Sequence, residues 1–254
     1  MQVHQIALIA WSSAPECSGI RTPGRYGCLM DVLEADPGGM VDAEPPKPRF
    51  RGWLHEIFFF VSIPAGLALV AAGQTTEARV AAAIYSFGVS ALYGTSAAYH
   101  RGKWSPAARR WMQRLDHAMI FVLIAATYTP FCLLLLHGVT GFLILGFVWA
   151  FAITGLVLAL TGISLKRGIG FALYLILGWV AVLAAPQFVA NMSGLQMGLI
   201  ATGGVLYTLG AICLGTHWPD PFPATFGYHE VWHVMVVVAG LCLAVDVWSL
   251  ALHA

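Results

Sequence analysis

Seven apolar runs dominate the sequence, near residues 54–73, 80–100, 115–136, 141–163, 169–189, 195–215 and 229–251. Each is long enough to cross a bilayer, which takes roughly 17–25 residues. In lipid a segment must satisfy its own backbone, so separate spans of this length are helices. The gaps between the runs carry turn chemistry or charge: Gly73-Gln74-Thr75, Arg101-Gly102-Lys103, His137-Gly138, Lys166-Arg167-Gly168, Asn191-Met192-Ser193-Gly194 and Pro219-Asp220-Pro221. Glu56 and Pro64 interrupt only the first run. Composition agrees: 59% of the residues are hydrophobic and 10% charged, against about 25% charged in a soluble domain. The prediction is an all-α membrane protein, a bundle of seven transmembrane helices over residues 46–254.

Residues 1–45 differ from the rest, with Pro, Gly and acidic residues and no sustained periodicity. They are expected to be a disordered cytosolic tail, or sequence upstream of the true start, with Met30 and Met40 as alternative initiators. The five cysteines, Cys17, Cys28, Cys132, Cys213 and Cys242, show no paired spacing, so neither a disulfide framework nor a thiolate metal site is implied. A net charge of +1 leaves no basic surface for nucleic acid. Orientation follows from the cations. Lys47, Arg49, Arg51, Arg101, Lys103, Arg109, Arg110, Arg114, Lys166 and Arg167 fall on one side, and Arg79 alone on the other. The N-terminus is therefore expected in the cytosol and the C-terminus outside, with the chain a multi-pass protein of the plasma membrane.

Ionisable groups within spans cost about 2.5–3.5 kcal/mol each on insertion scales, so their positions carry information. His100 ends the second run, Asp116 and His117 begin the third, and His229 and His233 begin the seventh. The assigned topology brings all of them to the cytosolic leaflet. His229 and His233, at i and i+4, share one helix face as two ligands of one metal would. Ser96, four residues before His100, shares that imidazole's helix face; its bland reading is a hydroxyl bonded to the carbonyl of residue 92. Three neutral imidazoles, His100, His229 and His233, leave a fourth position open, the mark of a catalytic zinc site rather than a closed structural one. Asp116 is the best-placed carboxylate to orient a water there or take its proton.

These residues lie in stretches that carry a family resemblance. They are Leu92-Tyr93-Gly94-Thr95-Ser96-Ala97-Ala98-Tyr99-His100-Arg101, Arg114-Leu115-Asp116-His117-Ala118 with its continuation Ala126 to Phe131, Gly178-Trp179, and the closing run Gly203 to Tyr207 and Phe226 to His233. Over roughly residues 48–250 the chain resembles the haemolysin III family, the bacterial branch of the progestin and adipoQ receptor superfamily. The resemblance implies a seven-helix bundle with a cytosolic N-terminus and zinc held by His100, His229 and His233, with Asp116 and Ser96 beside it. Relatives resemble lipid amide or ester hydrolases, ceramidases among them; bacterial members are named for cytolysis, and some are linked to membrane-lipid homeostasis. The chain departs from the family in its first span, where Trp53-Leu54-His55-Glu56-Ile57 replaces the usual Glu-x-x-Asn, and in the seventh, where Gly240 to Ala244 lacks a late histidine.

Three functions compete. The first is a zinc-dependent hydrolase of lipid amide or ester bonds, or a factor in lipid homeostasis, with membrane lipids as its partners. The second is a receptor or pore-forming cytolysin in which zinc is structural; few charges lie in the spans, so a pore would need a homo-oligomer. The third takes His229-Glu230-Val231-Trp232-His233 literally as H-E-x-x-H, an intramembrane protease with Glu230 as base. It makes His100 superfluous. His55 and Glu56 are expected to be rim residues in water, with a place beside the metal ligands as the alternative, and His117 a hydrogen-bonding neighbour of the site. Asp246, roughly 20 Å along the helix from His233, is expected to meet headgroups or a polar group of an adjoining helix.

Overall fold

The computed structural model describes residues 47–162 and 167–254. The expected tail, with Cys17 and Cys28, lies outside the described residues, as does Lys166. Among the described residues, seven helices or helix pairs are long and apolar enough to span a membrane. In chain order they are α1 (Trp53–Ala72), α2 (Thr76–Arg101), α3 (Pro106–Leu134), α4 (Val139–Thr161), α5 (Arg167–Trp179) with α6 (Ala185–Asn191), α7 (Gly194–Thr216) and α8 (Tyr228–His253). Consecutive helices pack as antiparallel neighbours from α1 to α4. The last helix, α8, touches α7 and also α1, α2 and α3. That central position brings the N-terminal end of α8 to the C-terminal end of α2.

The helix ends follow local chemistry more than hydropathy. α2 begins four residues before the apolar run because the Thr75 hydroxyl accepts the Ala78 N–H at 3.1 Å. α3 begins nine residues early: Ser105 caps Ala108, and Pro106 takes the first helical position, where a missing N–H costs nothing. The cationic stretch Arg109–Arg114 is thus helical and extends the third span toward water. Ser193 and Gln196 form a capping box at the start of α7. Arg79, the lone cation of its side, donates from Nε to the Gly73 carbonyl at 2.9 Å and closes the end of α1. Pro64 does not interrupt α1, which runs unbroken through it.

The fifth span departs from a continuous helix. Between α5 and α6 it tightens into a 3₁₀ turn over Val180–Ala184. Two groups cause the break. Pro186 has no N–H for the Val182 carbonyl, which is bonded instead by Ala185 in 3₁₀ register. From α3, the buried Tyr128 hydroxyl donates toward the Leu177 and Gly178 carbonyls, at 3.1 and 2.7 Å, and accepts the Ala181 N–H at 2.7 Å. One phenol replaces the missing rungs. Tyr128→Phe leaves that N–H and those carbonyls orphaned in a dry interior, and is expected to cost about 1–3 kcal/mol. Thermal unfolding of the purified protein reads this as a drop of about 2–4 °C per kcal/mol; an unchanged midpoint would assign the break to Pro186 alone.

Small residues set how closely α2 approaches α3. A Cβ on Gly88 would lie 2.4 Å from the Ala126 Cβ, so this crossing needs glycine. The main core lies below it, built around Phe121, Leu69, Val148, Leu177 and Val247, all 2% exposed or less. The fully buried Asp246 sits at this depth. Neither of its oxygens has a hydrogen-bond partner among the described residues. Of the two surroundings expected from the sequence, headgroups are excluded by its burial, and the polar group of an adjoining helix is Tyr85 of α2, which it reaches electrostatically.

Candidate metal centre

His100 occupies the last turn of α2, and His229 and His233 the first two turns of α8. The central placement of α8 brings the three together: one ligand nitrogen from each lies within 4.8 Å of the other two. Nε2 of His229 and Nε2 of His100 are 3.1 Å apart. Two nitrogens on one tetrahedral ion at 2.0–2.1 Å would be separated by about 3.3 Å. The ring centroids of the three imidazoles are 4.6 to 5.3 Å apart at steep mutual angles, so their nitrogens converge on a point instead of stacking. His100 and His233 are buried. Three imidazole nitrogen donors aimed at one point, two of them on buried rings, fit a divalent ion, and these residues can form a metal site.

A fourth histidine, which sequence reasoning placed at a wetted rim, belongs to the same cluster. His55 is 3% exposed, and its ring stacks on His233 at 3.8 Å between centroids and 15° between planes. Both its ring nitrogens are buried without a hydrogen-bond partner among the described residues. Stacking of this kind fixes the plane of the His233 ring. The signal was present in its depth, since His55 lies at the same end of the bundle as the other three. Glu56, the next residue, faces away and pairs with Arg101.

Ser96 and Asp116 approach from the neighbouring faces of α2 and α3. The buried Ser96 hydroxyl lies within reach of the Asp116 carboxylate as a hydrogen-bond donor. Asp116 itself stands outside the group of converging ligands; its link to them is Ser96, one turn before His100. His117 is near enough to His229 to act on it electrostatically, and its backbone carbonyl accepts the Tyr174 hydroxyl at 3.1 Å.

Glu230 is buried, and both its oxygens are engaged. Oε2 accepts the N–H of Gly227 at 2.9 Å, half of a capping box that starts α8. Oε1 accepts Nε of Arg51 in an ion pair. This pair ties the segment before α1 across the site. Arg49 and Phe50 donate their N–H groups to the carbonyls of Ala224 and Thr225, each at 3.1 Å, so the segment also pairs with the loop leading into α8. Gly52, at φ +80°, completes the strap; a Cβ there would lie 2.7 Å from that of His100.

Comparison with known proteins finds relatives over most of the chain. Residues 44–244 match the profile of the family described as Haemolysin-III related. Hemolysin-3 of Bacillus cereus is 32% identical over 187 residues, 72% of this chain and 82% of the relative. The Hemolysin-3 homolog of Bacillus subtilis (strain 168) is 33% identical over 187 residues, 72% of this chain and 84% of the relative. More distantly, the monocyte to macrophage differentiation factor of Homo sapiens is 26% identical over 175 residues, 67% of this chain and 70% of the relative.

Proposed function

Because the chain belongs to the haemolysin-III-related family, we propose that it is a zinc-dependent hydrolase of lipid amide or ester bonds, of the ceramidase kind. It would act in the plasma membrane with its N-terminus in the cytosol and membrane lipids as substrates. The observation that carries this reading is the convergence of His100, His229 and His233 with no carboxylate among them. That donor set suits zinc and leaves a position free. Bound there, zinc supplies Lewis acidity to a carbonyl oxygen and makes water more acidic.

The chain's own residues would do the rest. Asp116 Oδ takes the proton released as water adds to the scissile carbonyl, and returns it to the departing amine or alcohol. Ser96 donates its hydroxyl to that carboxylate and sets its direction. The site lies at the end of α2, where the cationic and aromatic residues Arg101, Trp104 and Trp53 cluster. This depth suits a substrate cleaved just beneath its headgroup.

Glu230 is not the base in this reading. Its oxygens hold the helix start and the Arg51 strap, which supports a positioning role and counts against an intramembrane protease. A second reading, a cytolysin with structural zinc, has in its favour the name Hemolysin-3 carried by the two Bacillus relatives. It would act through a homo-oligomer.

Purified protein offered ceramide and phospholipids in mixed micelles is expected to release fatty acid, and to lose that activity with chelator. Glu230→Gln retains an acceptor for Gly227 and is expected to keep zinc and activity within about threefold, whereas loss of a general base costs about 10²–10⁴. Zinc-loaded protein that turns over neither lipid class but releases dye from liposomes would replace the hydrolase with the cytolysin.

A further inference from the structure

On the lipid-facing side of α1 and α2, opposite the histidines, lies a groove of about 420 Å³. Its floor is made by Gly94 and Ala98 and its walls by Phe59 and Phe60. A Cβ on Gly94 would be 2.7 Å from the Phe59 ring, so the missing side chain lets that ring lie against α2. Phe60 is 64% exposed and projects toward the membrane. A trough whose lining away from the mouth is Phe59, Phe60, Gly94, Ala97 and Ala98 takes an acyl chain. Its mouth is unlike its floor. There Arg101 and Glu56 form an ion pair, with side chains 34% and 38% exposed, and the Arg101 guanidinium lies 4.8 Å from the centre of the Trp53 ring.

We propose that this groove is a binding site for a phospholipid with an aminoethyl headgroup, drawn from the leaflet at this end of the bundle. The charges at the mouth select it. A guanidinium is the side chain best matched to phosphate, and phosphate binding to Arg101 draws it from Glu56. The released carboxylate must then be compensated at the edge of the membrane. A primary ammonium on the same headgroup does so with N–H donors. A glycerol headgroup brings a second anion to Glu56 and no cation. A choline headgroup brings a cation with no N–H to donate. The site is separate from the proposed hydrolytic one, being on the outer face of the same helix pair, and does not require metal.

The test uses the purified full chain, delipidated, and native mass spectrometry with phosphatidylethanolamine, phosphatidylcholine and phosphatidylglycerol of matched acyl chains. The expected result is retention of phosphatidylethanolamine over the other two by about tenfold, the worth of one charge-assisted hydrogen bond. Glu56→Gln is expected to reduce the preference over phosphatidylglycerol to within about twofold. Ala98→Phe fills the floor and is expected to lower retention of all three lipids while metal content, the control for folding, stays unchanged. His233→Ala should lose metal and keep the lipid preference, which separates this site from the hydrolase reading. Equal retention of the three lipids, or a preference over phosphatidylglycerol that survives Glu56→Gln, would overturn the proposal.

Discussion

Purified His100→Ala protein is expected to retain less than about a tenth of the metal bound by the unaltered chain, because two histidines on one helix do not hold a divalent ion against dialysis. The two remaining histidines, His229 and His233, both come from the start of α8, and His100 alone would tie an ion to α2. Metal should therefore stabilise the contact between these helices. A ligand present at about 100 times its dissociation constant adds about 2.7 kcal/mol to stability. Chelator should accordingly lower the thermal midpoint of the unaltered protein to that of His100→Ala, and have no further effect on the variant. His55→Ala offers the contrast. It removes the ring stacked on His233 and none of the converging nitrogens, so most of the metal should remain. Elemental analysis reads both outcomes. Full metal content in His100→Ala would restore the reading in which Glu230 belongs to an H-E-x-x-H protease.

The seven helices were legible in the sequence because the bilayer imposes one length and one polarity on every span. Their ends were less so. Those of α2 and α3 were set by Thr75, Ser105 and Pro106, which lie outside the apolar runs. The meeting of His100, His229 and His233 was also legible, since alternating spans put their helix ends at one depth. What depended on a distant partner was not. The break in the fifth span needs the Tyr128 hydroxyl, about 50 residues away from the carbonyls it serves. Glu230 is a catalytic base only in the third of the competing readings, and its partner Arg51, 179 residues earlier in the chain, was not legible. His55 looked like a rim residue because hydropathy reports depth along a helix and not the face it turns inward. For Asp246, counting residues along α8 left headgroups and a polar group of an adjoining helix as alternatives, and its burial beside Tyr85 favours the second.

Asp116→Asn is expected to lower lipid hydrolysis by about 10²–10⁴-fold with zinc content unchanged, the usual worth of a positioned general base. The amide keeps the size of the carboxylate and still accepts a hydrogen bond, but cannot take a proton. Metal is retained because Asp116 is not among the converging ligands. Ser96 acts through Asp116, so Ser96→Ala should cost less, about tenfold, corresponding to one ordinary hydrogen bond of roughly 1.4 kcal/mol. The double variant distinguishes a positioning hydroxyl from an independent catalytic one. If Ser96 serves only to orient the carboxylate, its removal from the Asp116→Asn background has nothing left to disturb, and the double variant should match Asp116→Asn alone. Additive losses would instead mean that the hydroxyl touches the substrate itself. Since the two residues belong to α2 and α3, the same cycle measured on thermal stability reports how far their contact helps to hold those helices together. A coupling seen in turnover but absent from stability would assign the pair to chemistry, and the reverse would assign it to packing.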